Sequence, residues 1–96
     1  MIPKKLKVGG FVYKIVWSKE PIINNGNSCY GLCDYDKRTI TLKTGDFDKQ
    51  TNEENFCHEM CHATLDEANV TATESEVIDI SRALYQVLKD NKIRFE

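Results

Sequence analysis

Thr51-Asn52-Glu53-Glu54-Asn55-Phe56-Cys57-His58-Glu59-Met60-Cys61-His62-Ala63-Thr64-Leu65 is the stretch in which the hydrophobic pattern turns from that of a strand to that of a helix. Thr51 followed by Glu54 is a capping-box signal. At about 100° per residue, Phe56, Met60 and Ala63 share one apolar face, with His58 and His62 roughly opposite. The spacing predicts a helix that buries one side and offers two imidazoles on the other. Downstream, Ala68-Asn69-Val70-Thr71-Ala72 is long enough to turn the chain back. Val77, Ile80, Leu84, Val87 and Leu88 then make the apolar stripe of a second helix over 73–91, with Lys89, Lys92 and Arg94 near its C-terminus, where the dipole favours cations.

Upstream of Gly45 the period is that of strands. Leu6 and Val8 alternate with lysines, Gly9-Gly10 supplies a two-residue turn, and residues 11–17 are rich in β-branched and aromatic types, so 5–17 reads as a hairpin. A second hairpin is expected from Cys29-Tyr30-Gly31-Leu32-Cys33-Asp34-Tyr35, a turn at Asp36-Lys37-Arg38, and Thr39-Ile40-Thr41-Leu42, with Ile40 and Leu42 on one face. Within 21–28, Asn24-Asn25-Gly26-Asn27-Ser28 reads as a surface loop. The expectation is one α+β domain over 1–96, a small, mainly antiparallel sheet of about four strands packed against two C-terminal helices.

The chemistry centres on His58-Glu59-Met60-Cys61-His62. Residues four apart lie on one helix face, so both imidazoles can reach one metal ion, and Glu59, one step round, can reach a water to be activated. This is the H-E-x-x-H arrangement of zinc peptidases: two ligands plus a carboxylate that takes a proton from the attacking water. The chain has only these two histidines, so the third ligand of a catalytic zinc must be a carboxylate or a cysteine. Glu74 projects near the centre of the stripe facing the first helix, and Glu76 falls on its flank. With Thr73 as N-cap, Glu76 closes a capping box; with Thr71 as N-cap, Glu74 closes it instead. Facing geometry favours Glu74 as the ligand, and both frames stay open.

A net charge of −2 lacks the basic surplus of a nucleic-acid binder. No apolar run of about 18 residues could span a membrane, and Met1-Ile2-Pro3-Lys4-Lys5-Leu6 lacks the apolar stretch of a signal peptide. A cytoplasmic setting with reduced cysteines is therefore expected. Cys29-x3-Cys33 and Cys57-x3-Cys61 suggest a four-thiolate zinc site, but two cysteines four apart on a strand stand about 13 Å apart. Packing roles are expected for all four. Tyr13, Tyr30, Tyr35 and Tyr85 are expected mainly in packing, with one of them, unspecified, free to stabilise an oxyanion.

Taken with its surroundings, the histidine motif resembles a known family. His58-Glu59-x-x-His62, followed twelve residues on by Glu74-x-x-Val77 and Ile80-x-x-x-Leu84-Tyr85-Gln86-Val87-Leu88, is similar to the minimal gluzincin peptidases of phage and bacterial genomes, related to the ImmA/IrrE-like group. Lys7-Val8-Gly9-Gly10-Phe11-x-Tyr13, and Gly31-x-x-x-Tyr35 ahead of Thr39-Ile40-Thr41-Leu42, are similar to the small sheet that precedes the active-site helix there. The resemblance covers nearly the whole chain. It implies that His58, His62 and Glu74 bind Zn2+ and that Glu59 is general base and acid in peptide-bond hydrolysis. It also implies that the strand at 39–42 edges the cleft and pairs with an extended peptide or protein substrate. One departure stands out: larger gluzincins often carry an acidic residue four after the ligand glutamate, and here that position is Ile78, leaving Asp66 as a stand-in. The rival readings are a metal-binding regulatory or interaction module with little turnover, and a structural zinc protein organised by the cysteines. No oligomeric state is read from the sequence.

Overall fold

In the computed structural model, which describes residues 2–45, 47–93 and 95, β1 (Lys5–Val8) and β2 (Phe11–Ser18) form the first hairpin. Met1, Asp46, Arg94 and Glu96 lie outside the described residues, and with them the cation expected at Arg94. The hairpin turn needs two residues at positive φ, which Gly9 and Gly10 supply at +57° and +88°. The expected loop over 24–28 is instead a second, detached hairpin, β3 (Ile22–Asn24) with β4 (Asn27–Cys29). Its turn is Asn25-Gly26, at φ +54° and +79°, the residue pair that tolerates this conformation best.

β5 (Gly31–Asp34) and β6 (Thr39–Lys43) pair antiparallel, with Cys33 opposite Ile40. β6 also pairs with β2, in parallel, with Ile15 opposite Ile40, giving a four-stranded sheet of order β1-β2-β6-β5. Two of its three pairings are antiparallel, as expected of a mainly antiparallel sheet. The strand at 39–42 is therefore not an edge. Both sides of β6 are bonded within the sheet, and the open edges belong to β1 and β5.

Two helices follow, α1 (Lys49–Glu67) and α2 (Glu74–Asn91). Helix α1 starts earlier than a Thr51 cap predicts. Asp48 is the N-cap, its Oδ1 accepting the Thr51 backbone N–H at 2.7 Å, which makes Thr51 the third helical residue. The core lies between sheet and α1: Tyr13, Ile15, Ile40 and Leu42 meet Phe56 and Ala63, and Met60 is half-buried at the margin. Thr39 and Thr41 take the other face of β6, as strand alternation requires.

Helix α2 departs from its expected stripe. Only Val77 and Ser81 are buried, whereas Ile80, Val87 and Leu88 stay 46%, 39% and 44% exposed. The sheet has already taken one face of α1, so α2 meets a single helix and buries a narrow ridge rather than a broad stripe. Among the described helices none is long and apolar enough to cross a membrane.

Both ends of α1 are tied down by carboxylates. At its start, Glu53 accepts from Tyr85 Oη at 2.7 Å and Lys89 Nζ at 2.8 Å, both on α2. At its end, Glu67 Oε2 accepts from Tyr13 Oη at 2.7 Å and Arg38 Nε at 3.2 Å. The Arg38 guanidinium in turn lies 3.5 Å over the centre of the Phe11 ring. Tyr13 is wholly buried, so its hydroxyl has no water to turn to. Removing it in Tyr13→Phe should lower stability by about 1.5–3 kcal/mol, the range for a hydrogen bond to a charged group. Urea unfolding checks this: the midpoint should fall with an unchanged slope, and an unmoved midpoint would remove Tyr13 from the stabilising network.

Candidate metal centre

His58 and His62 project from α1 towards the first turn of α2, each side chain 23% exposed. Which glutamate meets them is decided by the α2 cap. Thr73 is the N-cap: its Oγ1 accepts from the Glu76 N–H at 3.1 Å, and Glu76 Oε1 accepts from the Thr73 N–H at 2.8 Å. Glu76 is thus engaged at the helix end, and Glu74 is left to face α1. Glu74 Oε1 lies 2.8 Å from His58 Nε2, and Oε2 lies 3.2 Å from His62 Nε2. The two Nε2 atoms are themselves 3.2 Å apart. Bonds of about 2.0–2.1 Å in a tetrahedral site would put neighbouring nitrogens about 3.3 Å apart, so this spacing suits a small divalent cation. Burial holds His62 below its ordinary pKa against the pull of Glu74, which favours the neutral, ligating imidazole.

His58, His62 and Glu74 form a group able to hold a metal ion, with one ligand atom from each within 4.8 Å of the others. Among the described residues no cysteine joins them. All four cysteines are unpaired: Cys33, Cys57 and Cys61 are buried and Cys29 half-buried. Burial pushes the Cys33 thiol up to about 12 and the Cys57 thiol up to about 11, so both stay protonated and pack as small apolar groups. The strand expected over 29–35 is also broken at Tyr30, which separates Cys29 on β4 from Cys33 on β5.

Glu59 is nearly buried, only 7% exposed, and lies against β5 in the wall of the cleft. A Cβ at Gly31 would stand 2.9 Å from Glu59 Oε2 and 3.0 Å from its Cγ, so only glycine leaves the carboxylate its place. Burial, with the Glu74 charge nearby, pushes the Glu59 carboxyl up to about 7.

These groups line a cleft of about 530 Å³. Helix α1 contributes Asn55, His58, Glu59 and His62; α2 contributes Glu74, Ile78, Ser81 and Arg82; the opposite wall is β5 with Cys29 and Tyr30. The Lys43 N–H donates to the Tyr30 carbonyl at 2.9 Å, which sets the alternation along β5. Leu32 and Asp34 turn their amides to β6, and Gly31 and Cys33 turn theirs to the open edge.

Of the tyrosines, Tyr13 and Tyr85 are spent on Glu67 and Glu53, and Tyr30 and Tyr35 line the cleft. Burial, with nearby Cys33 and the Asp66, Glu59 and Glu74 carboxylates, pushes Tyr35 up to about 12, so it remains a donor. Asp66 shares a shallow recess with Tyr35 and His62, but among the described residues it forms no hydrogen bond to either histidine. From the sequence, Gly31 is expected only in the sheet, Tyr35 is one of four candidates for stabilising an oxyanion, and Asn55 and Arg82 have no expected role in the cleft. For Gly31 the signal was there, because glycine inside a strand pattern marks a close approach.

Compared with protein-family models, curated proteins and solved structures, the chain matches none.

Proposed function

We propose that the chain is a zinc-dependent peptidase of the gluzincin kind, in which His58, His62 and Glu74 hold the metal and Glu59 moves the proton. The observation that carries this reading is the meeting of both Nε2 atoms with the Glu74 carboxylate beside a buried Glu59, in a cleft walled by an open strand edge. Zinc, when bound, would act as a Lewis acid towards the scissile carbonyl. Glu59 takes a proton from the attacking water, whose oxygen bonds to the carbonyl carbon. As the C–N bond breaks, Glu59 passes that proton to the leaving amine. Gly31 keeps the Glu59 carboxylate in one place, and the outward amides of Gly31 and Cys33 suit pairing with an extended peptide. The four unpaired thiols support a reducing, cytoplasmic setting.

One zinc per chain is expected, held by two imidazole nitrogens and a carboxylate oxygen. Glu74→Ala should lower zinc affinity by at least about tenfold, whereas Glu76→Ala should leave affinity alone and weaken the cap by about 1 kcal/mol. Metal titration with X-ray absorption checks both. A sulfur-dominated shell, or equal losses in the two variants, would overturn the ligand set. Chelator-sensitive cleavage of a peptide library tests turnover, and a zinc-loaded chain that cuts no member is a binding module instead.

A further inference from the structure

The cleft does not end at the proposed ligands. It continues along α2 to Arg82, eight residues past Glu74 and so about 12 Å further along the helix at about 1.5 Å per residue. Among the described residues, Arg82 is the only lysine or arginine in the cleft wall. Two other cations are committed, Arg38 to Glu67 and Lys89 to Glu53, but among the described residues no carboxylate lies within ion-pair distance of Arg82. Glu54 shares this end of the cleft without pairing to it.

The direction of β5 says which end of a peptide would arrive there. β5 begins at Gly31, against Glu59, and runs on towards Tyr35, which shares a recess with His62 and Asp66. Arg82 groups with Gln50 and Glu54 of the first turns of α1, at the end where β5 begins. A peptide laid antiparallel on the open edge, the slightly more stable pairing, therefore has its C-terminal end towards Arg82. Charge and strand polarity agree.

We infer, resting on the peptidase reading, that the site selects peptides with a carboxylate on the C-terminal side of the cleaved bond, held by Arg82. At about 3.3 Å per residue, 12 Å is three to four residues, and a helical side chain leans back towards its N-terminus. The carboxylate therefore belongs about two or three residues beyond the cleaved bond. It can be the chain terminus or an Asp or Glu side chain.

The test is binding rather than turnover. Full-length, zinc-loaded Glu59→Gln is titrated with three pools of fluorescein-labelled random hexapeptides: one with a free C-terminus, one amidated, and one amidated with Glu fixed at the penultimate position. At least one carboxylate-bearing pool should bind about three- to tenfold more tightly than the plain amide pool, with the advantage shrinking in salt. The tighter of the two identifies the source of the carboxylate. The advantage should vanish in Arg82→Gln and survive in part in Arg82→Lys, circular dichroism showing both variants folded like the parent. Equal binding of all three pools, or an advantage untouched in Arg82→Gln, overturns the role of Arg82 and leaves the peptidase reading standing. If no pool binds, the peptidase reading falls as well.

Discussion

Glu59→Gln should abolish peptide hydrolysis while the protein stays folded and zinc-loaded. Glutamine keeps the size of the side chain and can still hydrogen-bond to water, but it cannot accept a proton at neutral pH. A positioned general base is typically worth about 10²–10⁴-fold, and in the proposed mechanism the same group also serves as the acid, so the loss should reach or exceed about 10⁴-fold. The substitution is well suited to the site because Glu59 is nearly buried, and an isostere leaves its contact with Gly31 undisturbed. The measurement needs a substrate that the parent cleaves in a chelator-sensitive way. If the zinc-loaded variant cut that substrate at close to the parent rate, Glu59 would not be the base and the mechanism would have to be given up.

The second large effect should come from a residue that has no side chain of its own. In Gly31→Ala the new methyl group would come within 2.9 Å of Glu59 Oε2 and 3.2 Å of its Cδ, and the Glu59 side chain is what must give way. Gly31 is not among the residues at positive φ, so its backbone accepts alanine and the change is felt at Glu59. Displacing a catalytic group by about 1 Å can cost about 10²-fold. The expected result is a fall in kcat of about that size, with KM and zinc content little changed. An unaltered kcat would mean that the Glu59 carboxylate has room to spare and that its seat on β5 is not what positions it.

The sequence was most readable where chemistry and period fall within one helix. The facing of His58 and His62 and the buried face of Phe56 and Ala63 follow from residues within about two turns of each other, whereas for Glu74 and Glu76 the sequence favoured one assignment and left both cap frames open. Misreadings arose where two local signals competed or where the deciding partner was distant. Asp48 and Thr51 both make good caps, and the earlier one adds a turn of helix. Asn25-Gly26 is a strong hairpin signal, but the polar residues around it gave no alternating pattern to go with it. The edge strand depends on the parallel pairing of Ile15 with Ile40, and no local period announces a partner so far along the chain. Likewise the exposed side of α2 reflects how little of α1 remains once the sheet has covered it.

The three proposed ligands fall within residues 58–74, on two helices joined by a short turn. The seat of Glu59 is different in kind, because Gly31 comes from β5, which is held through β6 to β2 in a parallel pairing. Local helix pairs form quickly, and pairings between distant strands form slowly because the intervening loop must close first. On the proposed reading, the folding chain would gain the means to capture metal before it gains the means to use it. A newly made molecule would pass through a stage that is metal-bound but inert, and hydrolytic competence would wait for the last strands to close. On the proposed reading, placing the ligands on one helix pair and the seat of Glu59 on the sheet would separate metal uptake from hydrolytic competence during folding.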